Sequence, residues 1–364
     1  MNRRKVLIGG GSLAVLGAGA TYLGVRKMGT SSEYDGAAQA MRTVLSARPG
    51  PQELIRYATL APNGHNTQPW RFAVAPGQLT VRPDFTRRTP VVDPDDHHLF
   101  VSLGCAAENL VLAAEARGFW GDLVFDNAEE GSITFSHHQS SPLSSALFDA
   151  IPLRQSTRAE FDGRAVGAAD LNTLADTAAV PGVDIVIITD RPQMDRMRDL
   201  VIAGNSLQMA DPAFIRELKS WLRFSPRQAL KFGDGLYSAA SGNPSLPEWL
   251  GQRVFDMLVS AESENDKYAA QLRSSSGVAV FIGKQDDREH WVLTGRACQR
   301  FALQATALGL KHAFINQPVE VAALRPELAA MVGMAGRRPD IVMRFGHGPT
   351  LPYSARRPVE AVMR

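Results

Sequence analysis

The chain has 364 residues, 45% of them hydrophobic and 21% charged, with a formal net charge of +2. That length can bury two domains or a compact pair of repeats, and so even a charge carries no footprint for nucleic acid or an anionic surface as partner. Two cysteines, Cys105 and Cys298, are too few for a disulfide scaffold. Both lie in apolar helical text, where packing is their expected role.

Residues 1–30 read as a targeting segment. Asn2-Arg3-Arg4-Lys5-Val6-Leu7 is a twin-arginine start, Val6 to Val25 is uncharged, Ala18-Gly19-Ala20 offers a cleavage site, and Arg26-Lys27 closes the stretch. The alternative is an uncleaved signal anchor, since about twenty uncharged residues suffice to span a bilayer. Either way the expectation is an exported protein, periplasmic or membrane-anchored and facing out of the cytoplasm, with the twin-arginine export machinery as a partner. Gly17-Ala18-Gly19 follows no strand and is no dinucleotide fingerprint.

Gly36 to Arg48 has helical text, broken by Pro49-Gly50-Pro51, and Gln52 to Leu60 is a second helix. A polar loop follows, and Arg71 to Val81 reads as a hairpin turning at Pro76-Gly77. Asp93-Pro94-Asp95-Asp96 looks like a helix start with an Asp N-cap and Pro at the first position. The helix from about His97 to Arg117 has few charges and helical apolar spacing, so it is expected to be buried. Leu123 to Ser136 is a second hairpin, turning at Glu129-Glu130-Gly131. Farther on, Val183 to Thr189, Gly277 to Gly283 and Ile341 to Gly346 read as strands, and Gln193 to Met209 as a helix.

The buried helix recurs at an offset of 191 residues: Asp95-Asp96 meets Asp286-Asp287, Gly104 meets Gly295, Ala106 meets Ala297 and Gly118 meets Gly309. An ungapped match of two acids, two glycines and the apolar period points to duplication. The expected fold class is therefore α+β in two related halves, residues 36–149 and 150–364, after the segment 1–30.

The loop Ala61-Pro62-Asn63-Gly64-His65-Asn66-Thr67-Gln68-Pro69-Trp70-Arg71-Phe72 resembles the AP-[ST]-x-x-N-x-QPW-x-F signature of the nitroreductase family of flavoproteins, with Asn63 in place of Ser or Thr. Arg154-Gln155-Ser156-Thr157-Arg158 resembles the R-x-S-x-R/K opening of nitroreductase protomers, where Arg and Ser grip the FMN phosphate. Asn316-Gln317-Pro318 and the Arg356-Arg357-Pro358 end fit the tandem-half Acg branch of that family. The resemblance implies a nitroreductase-like pseudo-dimer with FMN as cofactor. Arg154, Ser156 and Arg158 would hold the phosphate, together with Arg356 or, second, Arg357, and Gln155 between them is counted with the cofactor-binding residues. Pro62, Asn63, Gly64 and Asn66 would face the flavin ring, with Asn316 approaching from the second half.

Family homodimers carry two sites, each built from both subunits. Here the first half has the polar loop without R-x-S-x-R, and Leu45 to Arg48 is a poor substitute; the second half has R-x-S-x-R without a second NxQPW. One FMN site in a monomer follows. In the second half the region expected to replace the polar loop is Asp211 to Leu250, where Trp221, Phe224, Phe232, Tyr237 and Trp249 alternate with Gly233, Gly235 and Gly242. Aromatics with hinge-like glycines suggest a lid, or equally a helical pair patching the lost second site. No metal-ligand pattern accompanies His97-His98 or His137-His138, and there is no G-x-S-x-G elbow. The expected chemistry is the flavin's: electrons pass from a small-molecule donor to a nitro, quinone or similar acceptor. The alternative is a flavin-storing protein kept shut by its lid.

Overall fold

The computed structural model describes residues 28–363, so nearly all of the expected export segment lies outside the described residues. Among the described residues no helix is long and apolar enough to cross a membrane.

The first half builds one antiparallel sheet from β1 (Trp70–Ala75), β2 (Gln78–Pro83), β3 (Phe119–Asp126) and β4 (Ser132–Gln139), in the order β1-β2-β4-β3. The second half begins its sheet with β5 (Val183–Ile188). After a small parallel ladder of β6 (Leu222–Arg223) and β7 (Leu236–Tyr237), it adds β8 (Gly277–Gly283), β9 (Lys311–Phe314) and β10 (Ile341–Gly346). These run antiparallel in the order β5-β8-β10-β9. The two orders are the same when each half's strands are counted along the chain.

Between the sheets lie two buried helices, His97–Glu115 and Arg288–Ala307. They cross at their glycines, reciprocally. A Cβ on Gly104 would stand 2.0 Å from the carbonyl oxygen of Val292, and one on Gly295 would stand 2.0 Å from that of Val101. Only glycine lets the backbones approach so closely. Next to the crossing the buried Glu108 binds Arg296 and Arg300, each at 2.8 Å, and Gln299 donates to Asn109 at 2.6 Å. Cys105 and Cys298 are both buried here as free thiols.

Three expectations change. The N-cap of the first central helix is Asp96 in the left-handed region, and its side chain makes no capping bond. Asp93 satisfies the helix end instead, accepting from the amides of His98 and Leu99 at 3.0 Å each. The first helix covers Ser31–Ala40 and does not reach Arg48. Past Met41, arginine side chains take the carbonyls a helix would use: Arg56 binds Met41 and Thr43, and Arg117 binds Leu45 and Ser46.

The third correction concerns the insertion. Residues 189–276 join β5 to β8, which hold the sheet positions that β1 and β2 hold in the first half, where a tight turn connects them. The long insertion thus replaces a hairpin turn, not the polar loop. What parallels the polar loop is the exit from the helix Ala168–Ala178, which packs on the second central helix as Pro51–Ala58 packs on the first. That exit is only Ala179-Val180-Pro181-Gly182 before β5, too short for a second NxQPW.

Candidate functional site

The helix Pro51–Ala58 ends at Thr59, and the polar loop makes one 3-10 turn, Gly64–Asn66. Three of its non-glycine residues sit in the left-handed region: His65 (φ 49°), Asn66 (54°) and Gln68 (53°). Each such residue costs of order 1 kcal/mol or more unless its surroundings enforce it. Here they do. Asn63 Oδ1 accepts from the Gln68 amide at 2.8 Å. Asn66 Nδ2 donates to the carbonyls of Gly235 and Ala355 at 3.1 Å, and its Oδ1 accepts from Arg356 at 2.9 Å. Gln68 donates to Gly233 at 2.8 Å and accepts from the Arg357 amide at 2.9 Å. The loop is therefore held by the insertion and by the C-terminal segment together.

Of the expected ring-facing residues, Pro62 and Asn66 are buried, Asn63 is half-buried and Gly64 is exposed. Asn66 spends both amide donors inside the protein, so its part is to fix the loop. Asn316 caps the edge of the second sheet, accepting from the Val342 amide at 2.9 Å.

Arg154 to Arg158 runs beside β9, with Ser156 bridging His312 and the Thr157 amide donating to the His312 carbonyl. In extended chain alternate residues share a face. Gln155 and Thr157 turn inward: Gln155 clasps Leu351 by both its amide and carbonyl at 2.8 Å, which commits its side chain away from the cofactor-binding role expected of it. Arg154 reaches across the halves to donate to Leu60 at 3.1 Å, directly before the polar loop. Arg158 is exposed and donates to Ser241 of the insertion at 3.1 Å. Its charge adds to burial in pushing the His65 imidazole down to about 4. The two motifs are thus brought together.

Arg356 does not fit its expected role. All its N–H groups go to protein oxygens: Thr59 at 2.6 Å, Asn66 at 2.9 Å, Ala355 at 3.0 Å, Ala61 at 3.1 Å and Leu60 at 3.2 Å. It clasps the carbonyl end of the helix Pro51–Ala58, leaving no donor for a phosphate. Arg357 binds Ala361 at 2.7 Å from a half-exposed position.

One residue escaped the sequence reading. Arg42, only 5% exposed, lies in the electrostatic neighbourhood of Arg154 and Arg356. Burial first, and then the charge of Arg154, lowers the Arg42 guanidinium to about 10; burial lowers Arg154 to about 10 as well. None of the three arginines has a carboxylate partner among the described residues. Nε of Arg42 and Nε of Arg154 are buried without an acceptor. His312 Nε2 accepts from Arg154 at 3.4 Å, so the ring proton is on Nδ1, which is also buried and unpaired. Buried donors and cations that lack acceptors ask for an anion.

The insertion is docked rather than free. Asp234 takes both Arg223 (2.7 Å) and Arg87, and Glu217 accepts from the Val91 and Val92 amides at 2.9 and 3.1 Å. Gly233, Gly235 and Gly242 all have positive φ. A Cβ at Gly235 would meet the Trp221 carbonyl at 2.4 Å. The first two glycines are packed turn positions, not the hinges expected of them. Phe224 is buried, Tyr237 is buried against Tyr34 of the first helix, and Trp249 and Phe232 are exposed.

No family model matches the chain. Two curated Mycobacterium tuberculosis (strain H37Rv) proteins, each bearing the name "Putative NAD(P)H nitroreductase", are similar to it almost end to end. One is 29% identical over 339 residues, covering 90% of this chain and 91% of its own; the other, acg, is 24% identical over 321 residues, covering 85% and 93%. The chain is thus similar over most of its length to proteins named as putative NAD(P)H nitroreductases. Among solved structures, a nitroreductase with bound FMN from Desulfitobacterium hafniense aligns at 14% identity and a TM-score of 0.37, covering 59% of this chain and 96% of its own. In this chain two sheets of one strand order and two central helices lie within a single polypeptide.

Proposed function

We propose that the chain is an FMN-dependent oxidoreductase, with one flavin site per polypeptide, that passes electrons to a nitro, quinone or similar acceptor. The observation that carries this reading is the buried group of Arg42, Arg154, Arg356 and His312, with three unpaired N–H donors (Nε of Arg42, Nε of Arg154 and Nδ1 of His312) and no carboxylate partner for the arginines among the described residues. A phosphate dianion suits such a group, and Arg42, Arg154 and Ser156 would hold it while Arg356 secures the loop beside it. The bound flavin would supply the redox chemistry. Asn63, Gly64 and His65 on one side, and Arg158 and Asn316 on the other, would place its ring between the halves. The relatives' names support the reductase reading, and a nitroreductase with bound FMN is among the solved structures similar to the chain.

A second reading, flavin storage, draws on the docked insertion, which spends Asp234, Glu217, Gly233 and Gly235 on closing over the polar loop. Anaerobic mixing separates the two. On the oxidoreductase reading NADPH or a small artificial reductant bleaches the flavin of the intact holoprotein, and nitro or quinone acceptors restore its colour. Bleaching that occurs only after Asp234→Ala loosens the insertion would establish storage instead. The exported location remains part of the proposal, tested by changing Arg3 and Arg4 to Lys: the variant should stay inside the cell, and continued export would contradict it.

A further inference from the structure

His97 and His98 lack a metal-ligand partner in sequence, but the fold supplies several. Donor atoms of Asp93, His97 and His98 lie within 4.8 Å of one another at the start of the first central helix. From the second half, Glu320 Oε1 stands 3.9 Å from His98 Nδ1. Asp340, also from the second half, fixes both rings: the His97 Nε2–H donates to its carboxylate at 2.8 Å and the His98 Nε2–H donates to its backbone carbonyl at 3.3 Å. A carbonyl oxygen only accepts, so the neutral His98 ring carries its proton on Nε2 and keeps the lone pair on Nδ1. The carboxylate sets His97 the same way.

The neighbouring charges sharpen the pattern. Asp95 is paired with Arg338 at 2.6 Å and Asp96 with Arg88 at 2.7 Å. Asp93 and Glu320 have no Arg or Lys partner among the described residues. Asp93 receives two helix amides and Glu320 receives Gln208 at 2.6 Å, and each carboxylate keeps further lone pairs. Ligand atoms of Asp93, His97 and His98 thus converge, and the Glu320 carboxylate stands beside His98 Nδ1. Each imidazole is oriented through its other nitrogen, as histidines that ligate metals are.

We propose that Asp93, His97, His98 and Glu320 form a binding site for one divalent transition-metal ion, Zn2+ being the best fit to two nitrogen and two oxygen ligands. Around such an ion the ligands sit about 3.3–3.5 Å apart, as metal–ligand bonds of about 2.0–2.2 Å require. Asp93, His97 and His98 are within 4.8 Å of one another, and Glu320, 3.9 Å from His98, would swing in to complete the set. The ion would join the first half, through Asp93 to His98, to the second half, through Glu320, with Asp340 as the shared outer support.

The test uses the full chain, stripped with EDTA and titrated with Zn2+ by calorimetry, with thermal unfolding followed in parallel. One Zn2+ per chain and a raised unfolding temperature are expected. His98→Ala and Glu320→Gln should each weaken binding at least tenfold and abolish the thermal shift. These two positions are chosen because both side chains keep some exposure, whereas His97→Ala strands a buried Asp340. Asp340→Asn, which touches no metal, should weaken binding by about 10–100-fold. Absence of stoichiometric Zn2+ binding overturns the proposal, as does binding that survives both His98→Ala and Glu320→Gln unchanged.

Discussion

The two sheets share one strand order, yet they are finished differently. In the first, the strands at positions one and two form a hairpin with a tight turn, and one face stays open: β2 alternates exposed and buried residues along its length. In the second, the same two positions are joined by residues 189–276, and helices of that insertion cover the outer face. Every residue of β8 is accordingly buried, with Ala279 and Phe281 facing the central helices and Val278, Val280 and Ile282 facing the insertion. The loop entering the sheet shows the opposite bias. It is long, polar and strained in the first half and cut to four residues in the second. Shared architecture tolerates both changes because neither touches the crossing of the central helices. On the proposed function, asymmetry in those loops would reduce two potential sites to one.

Several substitutions test how far this likeness and difference extend. The largest effects belong to the crossing. Gly104→Ala and Gly295→Ala each drive a Cβ into a backbone carbonyl that cannot swing aside, and each should cost about 3 kcal/mol or more in urea unfolding. Similar losses are expected at both. Tolerance at one and collapse at the other would break the reciprocity.

Next come the arginines. Arg356→Ala leaves the Thr59 carbonyl without a donor, removes one of the donors to Leu60 and Ala61, frees Asn66 Oδ1, and should destabilise by about 2–4 kcal/mol. Arg154→Ala should instead leave stability nearly intact and weaken FMN binding by about 1.5–3 kcal/mol. Arg42→Ala should follow Arg154→Ala in equilibrium flavin binding. If Arg356→Ala affects only flavin affinity, the clasp assigned to it is wrong.

These contrasts mark what was legible in sequence. Periodicity and turn residues located the hairpins and both central helices, because those elements are set by local pattern and burial. The repeat at 191 residues put Gly104 and Gly295 in register before their contact was known. Roles set by distant partners were not legible. Arg356 resembles a phosphate ligand by position, but Thr59, Leu60, Ala61 and Asn66, 290 residues and more away, take all of its donors except the one given to Ala355. Arg42 lay inside an apparently helical stretch, and nothing near it in sequence signals the approach of Arg154. The insertion was located but matched to the wrong connection, since only strand order reveals that it stands where a hairpin turn stands in the first half.

Smaller effects are expected where the insertion meets the loop. Gln68→Ala removes the bonds to Gly233 and Arg357 and should cost about 1–2 kcal/mol. Amide exchange at Gly233 to Tyr237 should rise with it, and unchanged protection there would mean that the insertion is held by other contacts. Gly242→Ala meets no neighbour and is opposed only by its positive φ of 79°, so a loss of about 1 kcal/mol is expected. An unaltered stability would show that this turn can relax.

The most direct test of the single-site account is the ratio of flavin to polypeptide. Purified chain, reconstituted with excess FMN and freed of unbound ligand, is denatured and its released flavin quantified against protein concentration. One FMN per chain is predicted, falling towards zero in the double variant Arg42→Ala with Arg154→Ala. Two FMN per chain, or full occupancy in that double variant under the same conditions, would contradict it.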